Sequence, residues 1–131
     1  MIGLDTNVLL RFITQDDQQQ SPLADATMAS LTTIEPGWVA VATVLEFVWA
    51  MSKSMRLPKP MVCNALDRML TLDTIVMEQQ SIVSAAVQQY RSTRADFADC
   101  LIAASARAAG CSKTVTFDRI AARDTGMELI A

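Results

Sequence analysis

The stretch that decides the fold is MIGLDTNVLLRF, residues 1–12, where polar residues join an apolar run to an amphipathic one. The run Met1–Leu4 has the composition of a buried strand. The tripeptide Asp5–Asn7 supplies side chains that commonly begin helices, and apolar residues then recur through Val8–Ile13. The stretch therefore predicts a strand over Met1–Leu4 that passes directly into a helix over Val8–Ile13.

The same alternation of strand and helix is repeated along the rest of the chain. Further strands are predicted over Trp38–Val41, Thr74–Met77, Lys113–Phe117 and Met127–Ile130. Five further helices are predicted between them. The first runs from the N-cap Ser21, with Pro22 at the first helical position, to Leu31, and the second runs from the N-cap Thr43 to Met55. The others cover Met61–Leu70, Ser81–Tyr90 and Ala95–Ala109, and the last of these ends at Gly110. Strands separated by helices indicate an α/β fold with a parallel sheet between helices.

Length and composition fit a single domain over residues 1–131. Apolar residues make up 51% of the chain, which is enough for one core, whereas two independent cores would be hard to build. The apolar runs are too short to cross a bilayer, and the opening residues carry no basic, signal-like segment. We therefore expect a cytoplasmic protein with no membrane partner.

The composition excludes several kinds of chemistry. Histidine is absent, and Cys63, Cys100 and Cys111 lack the spacing of zinc or redox pairs. Histidine-based nucleophilic catalysis and most zinc sites are therefore excluded. The net charge of −3 argues against a protein that coats nucleic acid, although divalent cations in a small acidic pocket would reverse the charge locally.

Carboxylates recur in the segments that a parallel α/β fold places at the carboxyl ends of its strands, where sites form. Each lies in an otherwise apolar segment. Asp5 follows the first predicted strand and Asp118 the fourth, while Glu46 lies in the first turn of a helix, at capping-box spacing from Thr43. Asp96 and Asp99 lie on one face at the start of another helix. Like charges at one point destabilise a fold unless cations lie between them. The pattern therefore predicts a cation site.

Oxygen ligands without histidine or cysteine favour Mg²⁺ or Mn²⁺. Such ions lower the pKa of a water and stabilise the leaving oxygen when a phosphodiester is hydrolysed. The residues alone thus indicate phosphodiester hydrolysis by metal-activated water. Helix capping is an equally good interpretation of Glu46 taken alone, and the better one of Asp96 taken alone.

Four short motifs follow one another along the chain: Asp5-Thr6-Asn7, Val44-Leu45-Glu46, the run from Ala95 to Ala104 in which Asp99 precedes Leu101-Ile102-Ala103-Ala104, and Thr116-Phe117-Asp118-Arg119. In this order and spacing they resemble the PIN-domain family, particularly the VapC-type toxin ribonucleases of type II toxin–antitoxin systems. The resemblance covers almost the whole chain. It implies a PIN-like three-layer α/β/α fold with a central, mostly parallel sheet of four to five strands.

The resemblance also implies an activity and a partner. It indicates an endoribonuclease that depends on Mg²⁺ or Mn²⁺, cleaves an RNA substrate and is held inactive by a cognate antitoxin protein. Asp5 and Asp99 would ligate the metal directly, and Glu46 and Asp118 would complete the catalytic acidic cluster, partly through waters.

The resemblance also implies roles for three neighbouring residues. Asp96 would be either an additional metal ligand or a helix cap. Asn7 would orient Asp5, and Thr116 would orient Asp118, by hydrogen bonds. By residue preference alone, a helix N-cap and an ordinary strand residue are equally good interpretations of Asn7 and Thr116. The chain lacks the aromatic residue that often follows the fourth motif, which weakens any transfer of substrate contacts there.

Apolar side chains indicate protein partners. Trp49, Met51 and Met55, with Trp38 nearby, could form a groove for an antitoxin helix, although core or dimer packing is the better interpretation of Trp38. The eight methionines and many Ala, Val and Leu residues predict a homodimer with a further patch covered by the antitoxin. Among the arginines that follow acidic motifs, Arg119 is favoured to line the cleft.

Two other functions remain as alternatives. The first is a PIN-fold RNA- or protein-binding module that does not cut, against which the complete set of acidic residues argues. The second is a phosphatase, which is disfavoured because the sequence lacks the Asp-x-Asp-x-Thr nucleophile pattern and a clear catalytic lysine.

Overall fold

The computed structural model describes residues 1–130, which fold into α-helices and short β-strands. By internal contacts the chain divides into two compact units, Met1–Glu78 and Gln79–Ala131. The predicted single domain over residues 1–131 includes Ala131, which lies outside the described residues.

The first unit contains a parallel three-stranded sheet in the order β1-β2-β3. In the sheet register, Ile2 pairs with Gly37, and Gly37 pairs with Ile75. The elements in chain order are β1 (Ile2–Gly3), α1 (Thr6–Thr14), α2 (Gln20–Ser30), β2 (Gly37–Val39), α3 (Val41–Trp49) with its π-helical continuation Ala50–Ser54, α4 (Lys59–Thr71) and β3 (Ile75–Met77).

The second unit contains a separate pair of parallel strands, in which Val115 pairs with Glu128 and Thr116 with Leu129. Helices α5 and α6 pack against each other, and α6 also packs against α7. The elements in chain order are α5 (Gln80–Ser92), α6 (Phe97–Ala108), β4 (Val115–Thr116), α7 (Arg119–Thr125) and β5 (Glu128–Leu129).

The predicted α/β class with parallel strands is confirmed, but the predicted central sheet of four to five strands is wrong. The central sheet has three strands, because β4 and β5 pair with each other in a second sheet. The strands are also shorter than predicted; Val115–Thr116, for example, replaces the expected Lys113–Phe117. Apolar β-branched residues continue beyond the paired positions, so their composition overstates the strand length.

The predicted start of α3 at Thr43 is wrong, and so is the placement of Glu46 in its first turn. The helix begins at Val41, which makes Glu46 its sixth residue. The cause is a distant cap: the Glu78 carboxylate accepts a hydrogen bond from the backbone N–H of Val41 at 2.9 Å, across 37 residues of sequence. The local capping-box pattern could not reveal this contact.

The start of α2 also differs from the prediction. The helix begins at Gln20, and Ser21 does not cap it. The carboxylate of Asp17 instead accepts hydrogen bonds from the N–H groups of Gln19 at 2.9 Å and Gln20 at 2.7 Å. The Ser21 hydroxyl is buried and donates to the carbonyl of Arg11 at 3.0 Å, which ties α2 to α1.

Each unit has a well-buried interior. The largest fully buried side chains in the first unit include Phe47, Leu9, Met51 and Leu66. In the second unit, Ala103, Ala121 and Met127 form a buried cluster, and Cys100 is fully buried. Cys100 therefore packs as a small apolar residue.

An apolar groove of about 520 Å³ lies within the first unit. Its walls are built mainly by apolar residues of α1, the π-helical segment and α4: Ile13, Met51, Met55, Leu57, Met61 and Ala65. Arg68 lines the groove and also lies 4.7 Å from the centre of the Phe12 ring. Trp49 is not among the lining residues and is 63% exposed, so the predicted grouping of Trp49 with Met51 and Met55 is wrong.

No helix within the described part of the chain has the length and apolar character needed to cross a membrane.

The buried Gly37 of β2 gives a test of the packing between this sheet and its neighbours. A Cβ atom at Gly37 would lie 2.7 Å from Cδ1 of Leu4 and 2.9 Å from Cδ1 of Leu31, and both leucines are buried. We expect Gly37→Ala to lower the free energy of unfolding by about 1–3 kcal/mol, measured by urea denaturation.

The matched control is Gly3→Ala in β1, because a Cβ at Gly3 would meet no atom within 4 Å. This control should leave the stability unchanged or raise it slightly, since alanine loses less conformational entropy on folding than glycine. Equal unfolding free energies for the two variants would contradict the predicted overpacking.

Candidate active site

Asp5 occupies the N-cap position of α1, directly after β1. Its backbone is extended, and its carbonyl accepts hydrogen bonds from the N–H groups of Val8 and Leu9. Its carboxylate makes no capping hydrogen bond and no ion pair with any of residues 1–130. Asp5 is exposed. The side chain that leads the first motif is therefore available to a ligand.

Glu46 of α3 is held by a hydrogen bond from α1. The hydroxyl of Thr6 donates to Oε1 of Glu46 at 2.7 Å, although 40 residues separate the two in sequence. Thr6 is buried and α1 packs against α3, so this contact fixes the carboxylate beside the residue that follows Asp5. The first unit therefore holds Glu46 at the beginning of α1, against the residue that follows Asp5.

The sequence interpretation missed the contribution of Thr6 and assigned the orienting role to Asn7. Asn7 is exposed and lies in a shallow pocket between α1 and α2, together with Arg11, Gln20 and Thr27. That Asn7 orients Asp5 stays a prediction. Helical geometry could have indicated the role of Thr6, because consecutive residues of a helix point in different directions. Thr6, the first residue of α1, can therefore face a neighbouring helix while Asn7, the second, points elsewhere.

In the second unit, Asp99 lies in the first turn of α6 and is partly buried. Its pKa is raised above the usual value, mainly by burial and then by the negative charges of Asp118 and Asp96. The helix terminus, β4 and α7 therefore bring these carboxylates close enough to affect one another. Asp99 makes no hydrogen bond or ion pair within the described chain that would compensate this repulsion.

Asp118 has a structural role in addition to its place near Asp99. It is the N-cap of α7, and its Oδ1 accepts a hydrogen bond from the N–H of Ala121 at 2.9 Å. The Thr116 hydroxyl accepts a hydrogen bond from the backbone N–H of Asp118 at 3.0 Å. Thr116 thus restrains the Asp118 backbone, while α7 restrains its carboxylate.

Asp96 occupies the N-cap position of α6, with extended backbone and no capping hydrogen bond from its side chain. Its negative charge contributes to the raised pKa of Asp99. The position agrees with the interpretation of Asp96 as the residue that begins the helix, and the absence of side-chain capping leaves its role as a ligand open to proposal.

The arginines near the acidic motifs differ in how they are bound. Arg11 donates to Gln20 at 2.8 Å and forms an ion pair with Asp16 at 3.1 Å. Arg123 forms an ion pair with Asp124 at 2.7 Å, and its hydrogen bond lowers the pKa of Asp124 to about 2. The guanidinium of Arg119 makes no hydrogen bond or ion pair with residues 1–130.

The donor set of these residues fits a hard divalent cation. All the candidate ligands are carboxylates, and Mg²⁺ and Mn²⁺ prefer oxygen ligands. Asp5 and Asp99 carry no compensating protein partner, and a cation beside Asp99 would relieve the repulsion that raises its pKa. Within residues 1–130, however, no group of at least 3 acidic or cysteine side chains is already gathered closely enough to hold an ion.

The comparisons with known proteins identify a family for this chain. The family model of the PIN domain matches residues 2–125, which is nearly the whole chain. The match includes all the acidic residues described above. A search of curated proteins finds no significant match.

The repulsion at Asp99 predicts that its neutralisation stabilises the protein when divalent cations are absent. Because folding raises the pKa of Asp99, the folded state binds its proton more tightly, and stability falls as the pH rises through this pKa. We expect Asp99→Asn to raise the free energy of unfolding at pH 7 by on the order of 0.5 kcal/mol in EDTA.

The gain should shrink towards zero as the pH falls below about 4, where Asp99 is protonated in both states. Asp73→Asn, at an exposed carboxylate before β3, is the matched control and should show no such pH dependence. Urea denaturation across this pH range measures both. A loss of stability for Asp99→Asn in EDTA would rule out uncompensated repulsion.

Proposed function

The chain belongs to the PIN-domain family, and from that premise we propose that it is a Mg²⁺- or Mn²⁺-dependent endoribonuclease, the toxin of a toxin–antitoxin pair. PIN domains are generally nucleases, so family membership supports a hydrolase that acts on nucleic acid. The toxin role, the metal dependence and a cytoplasmic location are further parts of this proposal, which rest on the motifs of the sequence.

The observation that carries the proposal is that some of the carboxylates accept hydrogen bonds from the protein and others do not. Glu46 and Asp118 accept hydrogen bonds from Thr6 and from the N–H of Ala121. Asp5 and Asp99 are not bound in this way. Protein folds rarely leave a partly buried carboxylate such as Asp99 beside others without a cation. We therefore assign Asp5 and Asp99 as direct metal ligands.

The metal ion and the other acidic residues would have different roles in catalysis. Bound Mg²⁺ or Mn²⁺ supplies Lewis-acid chemistry, which favours ionisation of water near neutral pH and stabilises charge on a leaving oxygen. Glu46, fixed by Thr6, would accept hydrogen bonds from ordered water near Asp5. Asp118, fixed by the start of α7, would do the same near Asp99. Asp96 would add negative charge and tighten cation binding.

The groove of the first unit supports the proposed antitoxin partner. Its methionine-rich lining suits an amphipathic helix, because flexible methionine side chains adapt to a partner surface. Met61 is 50% exposed at this groove, so its side chain is accessible to a partner. We propose that an apolar face of the antitoxin lies against Met55 and Met61.

The proposed homodimer draws on other exposed apolar side chains. Most methionines are buried in the core, so methionine content is a weaker argument for a dimer than the sequence alone suggested. The large exposed apolar residues outside the groove include Leu23, Ile34 and Ile102, at 68%, 92% and 52% exposure. We propose that exposed apolar side chains such as these contribute to the contact between the two copies.

Cleavage of a mixed cellular RNA pool by the purified protein tests the nuclease. We expect fragments in Mg²⁺ or Mn²⁺, and none in EDTA. Asp5→Asn and Asp99→Asn should each lower the cleavage rate by at least about 100-fold, because even residues that only support metal ligands typically contribute 10- to 100-fold.

Asp73→Asn is the matched control, since it removes one exposed carboxylate outside the acidic motifs, and it should cleave at the wild-type rate. Mn²⁺ binding, followed by calorimetry, should weaken in Asp5→Asn and in Asp99→Asn, because we assign each residue as a direct metal ligand. Folded wild-type protein that cleaves no RNA with either metal would favour the non-cutting binding module.

Sedimentation equilibrium of the isolated chain tests the homodimer. We expect a mass twice that of one chain, dissociating on dilution. Met61→Glu should leave this mass unchanged, because the groove is assigned to the antitoxin and not to the second copy. A monomeric mass at every concentration would contradict the dimer, and a monomeric Met61→Glu variant would reassign the groove to self-association.

A further inference from the structure

Phe117 is an aromatic side chain that the fold does not bury. It follows β4 and is 80% exposed, whereas Phe47 and Phe97 are 0% and 3% exposed. The Tyr90 ring packs edge-on against Phe97. Phe117 makes no such ring contact within the described residues. The apolar ring therefore contributes little to the core, and its exposure to water carries a cost.

Arg119 is a cation that the fold does not use. It is the first residue of α7, and its guanidinium has no bound partner among residues 1–130, unlike those of Arg11 and Arg123. A positive charge at the amino end of a helix is unfavourable, because the exposed N–H groups there already carry partial positive charge. An arginine at this position therefore does not stabilise α7.

Phe117 and Arg119 lie on either side of Asp118. Asp118 has an extended backbone, with φ −87° and ψ 119°, and separates the exposed Phe117 from Arg119, the first residue of α7. The Asp118 carboxylate turns to the N–H of Ala121 instead. In the chain, an exposed ring and an unpaired guanidinium thus flank the residue whose carboxylate influences Asp99.

We propose that Phe117 and Arg119 form a nucleotide-binding pair for single-stranded RNA, in which a base stacks on the Phe117 ring and an adjacent phosphate binds the Arg119 guanidinium. The inference rests on the proposed nuclease function and deepens it, because it names the residues that place the substrate strand beside Asp118. An unpaired base offers the π-face that an exposed aromatic side chain binds, and guanidinium groups bind phosphate through two parallel hydrogen bonds.

A nucleotide suits this pair better than the apolar face of a protein. The centres of protein interfaces are depleted in aspartate, and here an aspartate directly follows the ring in the chain. Val115 provides the means to separate the two cases, because it lies on β4 two residues before Phe117 and is 48% exposed. An apolar protein contact would use Val115 as well, whereas base stacking requires an aromatic ring.

The test measures binding of a short, fluorescein-labelled, mixed-sequence single-stranded RNA to the Asp99→Asn protein, which does not cleave it. Phe117→Leu should weaken binding about tenfold, the effect of losing one stacked base, and Phe117→Trp should retain the wild-type affinity. Val115→Ala should bind as the parent does. An oligomer of the same backbone without bases should bind Phe117→Leu and its parent equally.

The Arg119 contact has its own readout, the dependence of affinity on salt. Removal of one phosphate contact should lower the slope of log Kd against log salt concentration by about 0.7, so Arg119→Gln should show this loss and Arg119→Lys should restore it. Phe117→Leu should leave the slope unchanged.

Equal RNA affinities for Phe117→Leu and its parent would overturn the stacking role. A loss of RNA affinity in Val115→Ala as large as that in Phe117→Leu would also overturn it, and would indicate an apolar protein surface. Failure of the parent protein to bind RNA would overturn the whole inference. Cleavage by wild-type protein without dependence on Phe117 or Arg119 would leave the nuclease intact and reject the pair alone. Binding with both signatures but no cleavage would retain the pair in a non-cutting module.

Discussion

Parallel pairing of β1, β2 and β3 is the constraint on which the first unit depends. Parallel neighbours cannot be joined by tight turns, so each strand must lead away through a helix before the chain returns. The carboxyl ends of all the strands then share one edge. Asp5 follows β1 at this edge, and Glu78 follows β3, where its carboxylate binds the first N–H of α3. The beginning of α3 is thus fixed by the sheet rather than by its own sequence.

The same constraint determines where the carboxylates lie and how firmly each is held. Because α1 and α3 both begin at this edge, Thr6 can reach Glu46. In the second unit the parallel pairing of β4 with β5 requires α7 between them, and the start of α7 binds the Asp118 carboxylate. Asp99 has no comparable partner and carries a raised pKa. The fold therefore tolerates unfavourable charge at Asp99, one of the two metal ligands of the proposed nuclease.

The sequence predicts where the carboxylates lie better than it predicts the hydrogen bonds that hold the site's helices and side chains. Asp5 after a strand, Asp99 in the first turn of a helix and Asp118 between strand and helix are recognisable because each depends on residues a few positions away. The cap from Glu78 and the hydrogen bond from Thr6 span 37 and 40 residues, and no local pattern encodes such contacts. For the same reason the sequence could not show that the last strands pair with each other, since every short apolar strand has several possible partners.

Helix α3 shows how one element can serve two surfaces without conflict. Trp49 lies one turn after Glu46, so the exposed ring and the carboxylate share a face. Met51, two residues further along, is buried and lines the groove instead. The acidic face and the groove therefore point in different directions from one continuous helix. A partner helix in the groove would contact the π-helical segment Ala50–Ser54, which continues the helix that carries Glu46. An antitoxin bound there, as we propose, would therefore leave the acidic face uncovered.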